Sequence, residues 1–215
     1  MVLEGAFDAH YQDFLEALTS DAYSLANNLC RRMGDIEWYA TQLAPGSGTD
    51  NLALITPIVP TLLVGYFSTC KSLLDAAAIS LTTLLSLRLA PREMDFSKAA
   101  FWRALKGAHP DVERRYRPLH QGLTRDVVHW RDASVHRTSP FVASGLRDAD
   151  VPSTGALMVH VLLEPGADVR TLAFQTAATG ALPRRYVDPL YFHRLWRPQF
   201  LALCAEACHD IAENL

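Results

Sequence analysis

The sequence predicts a mainly α protein: an up-and-down bundle of four to five helices with a β-hairpin inserted before the C-terminal helix. Three observations carry this expectation. Apolar residues recur at three- and four-residue steps through most of the chain, the signature of helices with one buried face. A single stretch near 156–176 changes to β-rich composition around a proline–glycine turn signal. With 215 residues, 49% hydrophobic and 20% charged, the chain has the balance of an ordinary folded protein and enough length for one sizeable core. One domain spanning 1–215 is expected, with the insertion at about 150–180.

The elements follow in order. Phe7, Tyr11, Phe14, Leu15, Leu18, Tyr23, Leu25, Leu29, Ile36 and Leu43 give residues 3–43 a helical period, as one long helix or two. APGSGTDN at 44–51 is turn chemistry. From Thr56 or Pro57 to about Leu89 the chain is almost wholly apolar or small, which suits a helix in the middle of a bundle, with Pro91 closing it. A short helix is expected at about Ser97–Lys106, capped by Asp95 or Ser97. Pro110 and the acids after it start another, running to Thr138 with a break near Pro118 or Gly122 and an end at Pro140. ALMVHVLL (156–163) and RTLAFQT (170–176) form the expected hairpin. Asp188–Pro189 then opens a last helix to about Asn214, interrupted at Pro198.

The net charge of −3 argues against nucleic-acid binding through bulk electrostatics alone. Its distribution says more. Between Arg103 and Arg147 nine basic residues face four acidic ones, a balance of +5 that leaves −8 for the rest. His109, His120, His129 and His136 fall in the same segment. A basic, histidine-rich middle fits an anionic ligand, and a solvated helix face fits it as well. Cys30, Cys70, Cys204 and Cys208 are scattered and read as buried thiols. Cys204, Cys208 and His209 offer at most half a zinc site, so no metal and no cofactor are expected. Asn51–Cys70 lacks charge but carries two prolines and several polar residues; it reads as a loop leading into a buried helix, not as a membrane span. No secretory signal is visible at the N-terminus, and a soluble cytoplasmic protein is expected.

Phosphate loops, Gly-x-Ser-x-Gly elbows, His-Glu-x-x-His and Cys-x-x-Cys motifs are absent. The dense chemistry lies in WRDASVHRTSPF, residues 130–141. On an ideal helix Arg125, His129, Asp132 and His136 fall within about 60° of one another, a titratable stripe suited to phosphate chemistry. Arg131 projects about 140° from His136, so one straight helix does not bring both to one small substrate. Two copies crossing at a two-fold axis do, which points to a homodimer.

Arg131-Asp132-Ala-Ser-Val-His136 resembles the Arg-polar-x-x-x-His motif of HEPN domains, and YFSTCKSLLDAAAISLTTLL (66–85) is similar to the apolar second helix of that family. The likeness covers roughly Met1–Pro140 and the final helix. HEPN domains are all-helical bundles, many of them metal-independent endoribonucleases in toxin–antitoxin, CRISPR and other defence systems. The resemblance implies that His136 is a general acid or base in cleavage by the RNA 2′-hydroxyl. It implies that Arg131 binds the scissile phosphate and that Asp132 orients one of them or shapes the site. Arg125, His129 and Arg137 are candidates for phosphate contacts, and Trp130 for stacking on a base, although a tryptophan beside a helix core more often packs. RNA, a second copy and an antitoxin or other protein partner are the partners implied.

Aspartate after the arginine departs from the asparagine common in the family. The alternative is therefore a non-catalytic HEPN-like module for dimerisation and for binding protein, nucleotide or nucleic acid. A metal-dependent helical hydrolase is the weakest reading, since the carboxylate and histidine spacings of such sites are missing.

Overall fold

A computed structural model describes residues 20–44, 52–136, 142–143, 161–163, 186–187 and 189–213, with only the backbone for some of them, His120 and His136 included. The chain is mainly α. Among the described residues the helices are α1 (Ser20–Leu43), α2 (Leu52–Leu84), α3 (Ala99–Ala108), α4 (Pro110–Leu119), α5 (Arg125–His136) and α6 (Pro189–Glu213). A 3₁₀ turn at Pro91–Glu93 precedes α3, and a π-helical turn at His120–Thr124 joins α4 to α5.

Several boundaries differ from the sequence expectation. Helix α2 begins at Leu52, so Pro57 and Pro60 lie inside it and not in a preceding loop. It ends at Leu84, well before Pro91. The amides of Ser86 and Leu87 turn back to the carbonyls of Thr83 and Thr82, at 3.2 and 2.9 Å, and Ser86 takes a left-handed φ of 50°. That is a Schellman ending, with serine where glycine is usual. The cap of α3 is Lys98, without a side-chain bond; Asp95 instead accepts the Ser97 amide at 2.7 Å, one turn earlier. The expected break near Pro118 or Gly122 is the π turn. Proline has no amide to continue the α ladder, and the wider turn accommodates the defect.

The three stretches 142–143, 161–163 and 186–187 pair antiparallel in the order β1 (Val142–Ala143), β2 (Val161–Leu163), β3 (Tyr186–Val187). This is not the expected hairpin. Leu162 faces Val142 on one side and Val187 on the other. The proposed partner at 170–176 lies outside the described residues, as do the turn at 45–51 and the helical period before Ser20.

The chain groups into two compact units. The first takes α1 to Gly34, Ser72–Thr124 and α6 from Gln199. Its core joins Leu29, Leu73, Leu74 and Leu203 to a cluster of Phe96, Phe101, Trp102 and Tyr116, all buried. Full burial of such side chains contributes about 1.5–3 kcal/mol each. The Trp102 indole donates to the Phe96 carbonyl at 2.7 Å, and Arg117 lies over the Trp102 ring at 5.2 Å. Asp210, buried on α6, accepts from the Tyr116 hydroxyl at 2.8 Å and from Arg115 at 2.5 Å, so its charge is paired. Cys30, Cys204 and Cys208 also lie in this unit. Burial pushes Cys204 up to about 12, and a hydrogen bond with Cys30, then burial, pushes Cys208 up further. These thiols are partly exposed, where the sequence suggested buried ones, and the raised pKa of Cys204 and Cys208 keeps those two protonated at neutral pH. Among the described residues no group of three or more His, Cys, Asp or Glu is arranged to hold a metal ion.

The second unit takes α1 from Asp35, α2 to Lys71, and Arg125–Pro198. Its core is aromatic, built on Tyr66, Phe67, Phe192 and Trp196 with Ile36, Leu63 and Val127. Gly65 lets α1 approach: a Cβ there would meet the Tyr39 ring at 2.5 Å. Pro60–Leu84 is long and apolar enough to cross a bilayer by length and composition, and half of its most apolar window is buried inside the protein.

Candidate functional site

Helix α5 is seated in the second unit by Val127, fully buried, and by Trp130, half-buried. Trp130 packs on Phe192 at 4.4 Å between ring centroids and stacks on Phe67 at 5.7 Å. Residues 127, 130 and 134 thus define the inner face. The opposite face carries the stripe read from the sequence: Arg125 and His129 are exposed, and Asp132 is nearly half exposed. Arg125 stands 3.8 Å from the Asp126 carboxylate with 81% of its side chain in solvent.

Arg131 sits between these faces, its side chain 34% exposed. Its Nη1 donates to Asp132 Oδ1 at 2.9 Å. The Ser134 hydroxyl turns back onto the Trp130 and Arg131 carbonyls at 2.7 and 3.0 Å, which leaves the helix ladder intact next to the motif. His136 ends α5 by its backbone and by register belongs with Arg125 and His129; its side chain and all of Arg137 lie outside the described residues. The structure therefore brings Arg131 and Asp132 together, leaves Arg125 and His129 to solvent, and places Trp130 in the aromatic core.

A second polar group lies in the same unit, and the sequence reading did not single it out. Glu37 on α1 accepts from Arg197 Nε at 2.6 Å through Oε1, while His193 Nε2 lies 3.4 Å from Oε2. The contact with His193, then Arg197, holds the Glu37 carboxyl below the usual carboxylate range, against the opposing effect of burial. Tyr66 stands beside this group, and burial pushes its hydroxyl well above the usual phenol range. Residues 37, 66, 193 and 197 are too far apart in sequence for a motif; the i, i+4 spacing of His193 and Arg197 was the one available signal.

Comparison with protein-family models, with curated proteins and with solved structures finds no match to this chain.

Proposed function

We propose that the protein is a metal-independent endoribonuclease of HEPN type, cleaving RNA at a site that two copies of α5 complete in a homodimer. In this reading His136 moves protons to and from the 2′-hydroxyl and the leaving oxygen. Arg131, steadied by Asp132, neutralises the charge that develops on the scissile phosphate. Arg125, His129 and Arg137 guide the RNA backbone. The fold belonging to this reading is an up-and-down HEPN-like bundle with residues near 150–180 inserted before the last helix. It operates in the cytoplasm in a toxin or defence role, with an antitoxin or similar protein as partner.

The observation that carries the reading is the placement of Arg131 at the edge between core and solvent, held by Asp132, on a helix whose outer face presents Arg125 and His129. Positioned proton transfer is worth about 10²–10⁴-fold, so His136→Ala should nearly silence the enzyme. The test is a labelled mixed-sequence RNA in EDTA with wild type, His136→Ala and Arg131→Ala, circular dichroism confirming folding. Cleavage by wild type alone is expected; robust cleavage by both variants rejects the assignment.

The Arg131–Asp132 contact also favours a second reading, a non-catalytic HEPN-like module for dimerisation and for binding protein, nucleotide or nucleic acid. An arginine already engaged by a carboxylate serves as a structural tie. This reading expects no turnover from any of the three proteins, with substitutions changing binding or stability instead.

A further inference from the structure

The aromatic core of the second unit holds more polar chemistry than packing requires. His193 Nδ1 and Trp196 Nε1 are buried without a hydrogen-bond partner in the protein, and Tyr66 Oη is buried with no nitrogen or oxygen partner. Tyr66 and Trp196 are each 1% exposed. The Tyr66 hydroxyl does have the Cys70 thiol beside it, one turn along α2, but a thiol is a weak partner. The three rings are neighbours. Tyr66 lies edge-on to His193 with centroids 6.2 Å apart and parallel to Trp196 at 6.4 Å. His193 and Trp196, three residues apart on α6, share a helix face. One buried polar atom left unpaired is already costly against the marginal stability of a domain, and two in one cluster, beside a third held only by a thiol, need an explanation.

Their chemistries are complementary. An indole N–H only donates, and a phenol hydroxyl donates readily. His193 turns Nε2 toward the Glu37 carboxylate; in the neutral imidazole this favours the proton on that nitrogen and leaves the buried Nδ1 with a lone pair. The Glu37–Arg197 pair, half in solvent, fixes the imidazole from outside. One hydroxyl group would answer all three atoms: its oxygen accepts from Trp196 and Tyr66, and its proton goes to Nδ1.

We infer that Tyr66, His193 and Trp196 form a binding site for a single hydroxyl group, carried by water or by a small uncharged alcohol. The site is independent of the RNA reading and uses none of its residues. A carboxylate-oriented imidazole whose free nitrogen meets a hydroxyl is also the arrangement in which histidine draws a proton from that hydroxyl.

Two readouts on the intact chain test this. The first is the melting temperature of Tyr66→Phe, a change that preserves the ring. If the hydroxyl is bonded to an occupant, Tm falls by about 2–4 °C. The second is the Trp196 indole proton by NMR, assigned by comparison with Trp196→Phe, with and without added methanol. A cross-peak to water that methanol does not perturb assigns the site to water. A shift that saturates with methanol assigns it to an alcohol, and either result with the lower Tm upholds the site. The absence of both a water cross-peak and a methanol response overturns it at any Tm, since loss of the Cys70 contact alone lowers Tm. An unchanged or higher Tm for Tyr66→Phe overturns it as well, because a dry orphan hydroxyl is one whose removal does no harm.

Discussion

Arg131 donates to Asp132 at 2.9 Å, a contact between consecutive residues whose side chains leave α5 about 100° apart. The arginine must therefore lie along the helix surface to reach its neighbour, and the aspartate competes with any phosphate for the guanidinium. Replacing Asp132 by Asn removes that competition and keeps the shape. A surface pair is worth about 0.2–1 kcal/mol, so RNA binding should tighten by up to about fivefold at low salt and less as salt rises. Cleavage should slow, because Arg131 loses the group that positions it. Fluorescence anisotropy and single-turnover cleavage measure the two effects separately, and unchanged affinity would mean that Arg131 does not meet phosphate.

Trp130 is expected to matter for stability before it matters for RNA. It contacts Phe67 and Phe192 and is half-buried, so Trp130→Ala should cost about 3 kcal/mol in urea unfolding, with Trp130→Phe costing much less. A tryptophan serving only as a base platform would show the reverse pattern, with weaker RNA binding at an unchanged unfolding midpoint.

Glu37 makes stability depend on acid. Its carboxyl titrates lower in the folded protein than its ordinary value of 4.5, so the stabilisation it contributes is complete above that pH. It is lost as pH falls from there through the folded value. Melting curves between pH 7 and pH 3 should therefore fall less steeply below pH 4.5 for Glu37→Gln than for wild type, although the variant starts from a lower Tm at neutral pH. Parallel curves would show that the contacts with His193 and Arg197 contribute nothing.

Ser86 holds a left-handed backbone at the end of α2, where a Cβ is unfavourable. Ser86→Gly should stabilise the protein by about 0.5–1 kcal/mol, the strain relieved exceeding the extra freedom glycine gives the unfolded chain. Chemical denaturation measures this directly, and a loss of stability would show that the serine side chain contributes at this helix end.

The sequence by itself determined the helical class, the places where helices restart at Pro110 and Pro189, and a break near Pro118 or Gly122. These are local matters of hydrophobic period and of proline's missing amide, legible from a few adjacent residues. It also placed Arg125, His129 and Asp132 together, because a stripe on one helix follows from spacing alone. The end of α2 was not legible: Ser86 closes the helix through bonds to Thr82 and Thr83, whereas the visible signal was Pro91. Packing was the more frequent expectation for Trp130, but its partners Phe67 and Phe192 were not legible. Only the tertiary structure decided that Glu37 meets His193 and Arg197 beside Tyr66. Contacts between residues so far apart depend on how whole helices pack, and no local spacing records that.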